Sequence, residues 1–103
     1  MKGARSRRYS AYKYQVHIAT VANNPSRMGL TRDHIVPVSF GFKHDISPVL
    51  MGSPENIEYV SLNANIQKGQ RLTPEAIAIL KKWGEEYPEI ADKAEAYEMK
   101  LNV

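Results

Sequence analysis

Apolar residues change period several times along the chain, and each change predicts an element. Across residues 9–22, Ala11, Tyr14, Ile18, Val21 and Ala22 recur at helical spacing, and Asn23, Asn24 and Pro25 end the run. This predicts a first helix carrying that stripe. Residues 30–36 read as a short strand that Pro37 closes, because proline has no N–H to give to a ladder. From 37 to 55 the chain carries Pro37, Gly41, Pro48, Gly52 and Pro54 with no sustained period, which predicts a long loop. In so small a domain, a loop of that length is compatible with a folded chain only if it is compact and functional. Residues 56–60, NIEYV, alternate as a strand, with Ile57 and Tyr59 on one face and Glu58 on the other. Ser61 then caps a short helix through about Lys68, which Gly69 terminates.

Thr73, Pro74 and Glu75 supply a cap, a first-turn proline and an acid at the positive end of a helix dipole. Ala76, Ile79, Leu80 and Trp83 follow on one face, and Gly84 stops the pattern. After Tyr87-Pro88, a last helix carries Ile90, Ala94, Tyr97 and Leu101 on one stripe. Both stripes are assigned to the core. There is no internal repeat and no low-complexity segment.

Length and composition fit a single working unit. A chain of 103 residues supports one modest core, here a domain over 9–103 preceded by a flexible basic arm over 1–8. Apolar residues at 43% and charged residues at 24% fall in the soluble globular range, not the disordered one. No apolar run approaches the roughly 18 residues of a membrane span, and no hydrophobic stretch follows the basic start, so no membrane association and a cytoplasmic location are expected. The absence of cysteine excludes a disulfide framework and any thiolate zinc site, so oxygen and nitrogen ligands must hold any metal. A formal charge of +3 and a sequence pI of about 9.2 are compatible with a polyanionic partner. Lys2, Arg5, Arg7, Arg8 and Lys13 crowd the start, with no acid before Asp33. Taken alone, such a run is a solvated tail.

Candidate chemistry gathers on the strand, loop, strand, helix unit. Asp33 and His34 stand at the end of the first strand, Asn56 at the start of the second, and NANIQKG on the helix after it. A carboxylate and a side-chain amide are hard oxygen ligands suited to Mg²⁺ or Mn²⁺, and a neutral imidazole off the metal can take a proton from water near neutral pH. Each piece alone is weak, since an Asp-His pair is often a surface accident and asparagine is common at helix starts.

Taken in order, DHIVPVSF, PENI and NANIQKG resemble the HNH endonucleases, the beta-beta-alpha metal-finger family with the pattern Asp-His-x-x-Pro, then Asn, then Asn-x-x-Lys-Gly. The match is especially close to the HNH domain of the CRISPR effector nucleases, which share the first block and the interval between Asn56 and Asn65. It covers residues 30–70 and does not extend to either end. The resemblance implies an α+β fold: a small beta-beta-alpha metal finger, made of a two-stranded antiparallel hairpin with a long loop plus a helix, flanked by further helices. It also implies that Asp33 is the metal-binding acid, that His34 is the general base, and that Asn56 holds the long loop and helps orient the histidine. By the same resemblance Asn65 matches the last metal ligand, in place of the histidine found in many relatives. Two departures stand out. Relatives often brace the finger with paired Cys-x-x-Cys zinc ligands, so without structural zinc the flanking helices must brace it here. Adjacent strand residues point to opposite faces, so Asp33 and His34 can share a site only if the strand bends or ends there.

The activity so implied is metal-dependent hydrolysis of DNA phosphodiester bonds, with double-stranded DNA as partner and a phage or mobile-element context. Asp33 and Asn65 would hold one Mg²⁺ or Mn²⁺ ion and His34 would activate water. Arg32, Lys68 and Arg71 are candidate phosphate contacts by charge and by proximity to the motif. Two readings of other classes compete. One is a DNA-binding module that keeps the finger but does not cleave; the other is a small interaction protein with a vestigial site. His17 and His44 are assigned structural or incidental roles, and Asn63 competes with Asn65 for the ligand position.

Overall fold

The computed structural model describes residues 2–64 and 72–101, with side chains described over 6–64 and 72–96. It is a small α+β domain. Helix α1 spans Lys2–Asn23, strand β1 Thr31–His34, helices α2 and α3 Val38–Lys43 and Pro48–Met51, and a 3-10 turn Pro54–Asn56. Strand β2 follows at Ile57–Val60, then helices α4, Pro74–Gly84, and α5, Pro88–Leu101. β1 and β2 pair antiparallel as a two-stranded sheet, with Thr31 opposite Val60, Arg32 opposite Tyr59, Asp33 opposite Glu58 and His34 opposite Ile57.

Helix α1 departs from the sequence reading at its start and in its register. It begins at Lys2, so the segment expected as a flexible arm over 1–8 is helical from residue 2. Arginine, lysine and alanine are strong helix formers, and no proline interrupts them. The face that α1 buries is also not the apolar stripe. Tyr14 is 63% exposed, Ile18 51% and Val21 46%, whereas Val16 is 1% and Thr20 3% exposed, with Tyr12 partly buried beside them. The inward row is thus Tyr12, Val16, Thr20 and then Asn24 just past the helix end, a polar-tipped row that a count of apolar residues passes over.

Each polar tip on that row has a partner. The Tyr12 hydroxyl donates to the Ile46 carbonyl at 2.7 Å. Burial first, then Asp45 and Tyr9, hold its ionisation well above the ordinary tyrosine range, so it stays a donor. Asn24 Nδ2 donates to the carbonyls of Thr20 at 3.0 Å and Gly52 at 2.8 Å. At Gly52 the backbones approach so closely that a Cβ would lie 2.6 Å from the Thr20 nitrogen.

The connection over 37–55 is more regular than its lack of period suggested. Two short helices and the 3-10 turn occupy most of it, and Phe40, Ile46 and Met51 are buried in the core. Ser47 caps α3 by accepting from the Val49 N–H at 3.2 Å. Asp45 turns the corner between α2 and α3 with φ 56°, a left-handed conformation that aspartate tolerates better than most residues. His44 closes α2 as its C-cap, with its ring centroid 4.3 Å from that of Phe40 and its carbonyl accepting from Lys93 Nζ at 2.6 Å. Burial, then Lys93 and Lys43, lower its basicity, which fits a structural role.

The C-terminal helices follow their sequence signals closely. Thr73 caps α4, its Oγ1 accepting from the Ala76 N–H at 3.2 Å, and Ala76, Ile77, Leu80 and Trp83 are buried. Gly84 is the last residue of α4, and its need for glycine is steric: a Cβ would lie 2.7 Å from Ala91 Cα on α5. Ile90 and Ala94 complete this side of the core at 4% and 0% exposed, while the side chains of Tyr97 and Leu101 lie outside the described residues. A clamp ties α4 to the turn before β2: Trp83 Nε1 donates to Glu55 Oε1 at 2.9 Å and Lys82 Nζ sits 2.8 Å from Glu55 Oε2. Hydrogen bonds from Lys82, then Trp83, hold the Glu55 carboxyl below its usual range.

Candidate functional site

The candidate site is the end of β1 together with the groups that grip it. Asp33 is 6% exposed in the middle of the hairpin, and His34 is the last residue of β1. Alternation sends Arg32 and His34 to one face with Tyr59 and Ile57, and Thr31 and Asp33 to the other with Val60 and Glu58. The strand stops at His34, one of the two conditions under which neighbouring residues can serve one site.

Asn56 grips the backbone just beyond. It is 0% exposed, and its Oδ1 accepts from the Val36 N–H at 2.7 Å. Its Nδ2 donates to the carbonyls of Met51 at 2.9 Å and Val36 at 3.4 Å, and its own carbonyl accepts from the Ile35 N–H at 2.8 Å. One amide thus joins the end of β1 to the end of α3 and closes the connection between the strands. Among the described residues no buried side-chain polar atom lacks a partner.

On the other side of the histidine stands α1. Thr20 Oγ1 lies 3.0 Å from His34 Nε2 and donates to the Val16 carbonyl at 2.7 Å. Neighbouring cations are also oriented. Arg32 Nε donates to the Asn24 carbonyl at 2.7 Å, which fixes the guanidinium stem while leaving its two terminal nitrogens outside that bond. Arg27 stacks over Tyr59, its Cζ 3.9 Å from the ring centroid, and the Tyr59 hydroxyl donates to the Pro25 carbonyl at 2.6 Å.

Of the residues singled out from the sequence, Arg32, Asp33 and His34 lie on β1 and Asn56 at the start of β2, with Asp33 on the face opposite Arg32 and His34. Asn65, Lys68 and Arg71 lie outside the described residues. Residues 62–64 form one helical turn, with Ser61 Oγ accepting from the Ala64 N–H at 3.2 Å, and Asn63 is exposed. His17 is exposed on α1. Thr20, Asn24, Arg27 and Tyr59 were not found by sequence reasoning. No local motif marks them, because each contact joins segments distant in the chain.

Among the described residues no three or more histidines and acids gather into one group. Of the ligands expected from the sequence, Asp33 lies among the described residues, and one or two carboxylates with retained waters are how proteins commonly hold Mg²⁺. Among the described residues no helix is long and apolar enough to cross a membrane. No family model matches the chain, and neither a curated protein nor a solved structure does.

Proposed function

We propose that the chain is a metal-dependent HNH-type endonuclease that hydrolyses phosphodiester bonds in double-stranded DNA on a beta-beta-alpha finger. The observation that carries this reading is the Asn56 amide, which closes the inter-strand connection onto Val36 and Met51 while its carbonyl holds Ile35, the residue after His34. That is the role the family pattern assigns to this asparagine, and a chance Asp-His pair would not require it.

In this reading Asp33, with Asn65, would hold the divalent ion, and His34 stays off it. A bound Mg²⁺ or Mn²⁺ would supply neutralisation of the negative charge that develops as the phosphodiester is attacked. His34 takes a proton from the attacking water; the water oxygen bonds to phosphorus, the bond to the 3′ oxygen breaks, and that oxygen takes its proton from solvent. Arg32, and Arg27 on its Tyr59 platform, contact backbone phosphates, with Lys68 and Arg71 as further candidates and the basic start of α1 adding sequence-independent affinity. In place of cysteine-bound zinc, the clamp from Glu55 to Trp83 and Lys82 braces the turn that presents Asn56.

Plasmid incubated with Mg²⁺, with and without EDTA, tests the reading together with Asp33→Asn. The expected results are cleavage that EDTA abolishes, and a variant that neither cuts nor retains metal affinity by titration calorimetry, because Asp33 supplies the only formal negative charge in the proposed ligand set. Plasmid bound but left intact by the wild type would make the chain a DNA-binding module. Unchanged metal affinity in the variant would move the ion elsewhere.

A further inference from the structure

The contact between Thr20 and His34 carries information about the imidazole. Thr20 is 3% exposed, and its Oγ1 lies 2.7 Å from the Val16 carbonyl oxygen and 3.0 Å from His34 Nε2. A hydroxyl has one hydrogen to donate, a carbonyl oxygen only accepts, and an imidazole nitrogen does either according to its tautomer. Both contacts are hydrogen bonds at once in a single arrangement: the hydroxyl donates to Val16 and accepts from an N–H on Nε2. The reverse arrangement, with the hydroxyl turned to Nε2, gives up the shorter contact and places the ring proton on Nδ1.

We propose that Thr20 is a positioning residue that holds the neutral imidazole of His34 in its Nε2–H tautomer and fixes the orientation of the ring at the end of β1. A ring nitrogen that faces a fixed acceptor keeps its proton, and here that acceptor comes from a helix outside the hairpin. The hydroxyl is itself held in place. The Thr20 carbonyl accepts from the Asn24 backbone N–H at 2.9 Å and from its Nδ2 at 3.0 Å, and the same Nδ2 donates to Gly52 at the end of α3. The turn of α1 that bears the hydroxyl is therefore tied to the connection that Asn56 closes onto β1. The structural part of the proposal stands without the nuclease reading; its effect on rate rests on that reading.

The test uses the full chain labelled with ¹⁵N at histidine. Long-range proton–nitrogen correlation, at a pH where imidazole is neutral, reports which ring nitrogen of His34 is protonated, and the His34→Ala spectrum identifies its signals among the three histidines. The wild type is expected to show Nε2–H. Thr20→Val, which keeps the shape and loses the hydroxyl, is expected to show mixed tautomers and a single-turnover cleavage rate lower by about tenfold with DNA affinity unchanged. Thr20→Ser restores both. A wild type with Nδ1–H overturns the proposal, and so does a Thr20→Val variant whose tautomer and rate match the wild type. Should Thr20→Val not fold, the wild-type tautomer and the serine variant decide. A wild type that cuts nothing overturns the nuclease reading, while the spectra still decide the role of Thr20.

Discussion

At Asn56, one fully buried amide donates to two carbonyls and accepts from one N–H, which ties the end of β1 to the end of α3. Replacing it by alanine leaves the Val36 N–H and the Met51 carbonyl buried with no partner from this side chain. Each such group costs about 1–3 kcal/mol, so Asn56→Ala is expected to lose about 3 kcal/mol in urea unfolding. A loss below about 1 kcal/mol would mean that other contacts hold the connection. The adjacent Asp33-His34 pair was legible in the sequence because the motif is local, and Asn56 was legible because its interval to Asn65 fits one pattern. Thr20 was not legible, since its value depends on His34 arriving beside it from another element.

Helix α1 shows the same limit one scale up. Its apolar stripe of Tyr14, Ile18 and Val21 is the outward face, and the inward row alternates apolar bulk with hydroxyl and amide tips. Such a row reads as polar until Ile46 and Gly52 are in place to accept its hydrogen bonds and His34 stands against Thr20. The consequence is measurable: Val16→Ala is expected to cost about 2 kcal/mol, whereas Ile18→Gln stays within about 0.5 kcal/mol. Equal losses in chemical denaturation would return the stripe to the core. Helix α4 was legible because its cap, Thr73 to Ala76, is complete within one turn. Helices α2 and α3 were not, because helices so short form through tertiary contacts, here those of Phe40 and Met51, rather than through their own periodicity.

For the whole molecule, the hairpin is a small element held from two sides. α1 and the residue that follows it supply Thr20 and Asn24, which meet His34 and Arg32, and α4 holds the turn before β2 through Trp83 and Lys82. This bracing lets the variants of the site itself be compared as folded proteins. The most direct test of the account is single-turnover cleavage of plasmid DNA by wild type and His34→Ala in Mg²⁺, with melting curves and salt-matched DNA-binding isotherms for both. The account predicts a folded variant that binds metal and DNA as the wild type does and cuts slower by about 10² to 10⁴-fold, because only the proton acceptor is gone. Near wild-type cleavage by the folded variant would contradict it, and loss of metal binding would make His34 a ligand rather than the base.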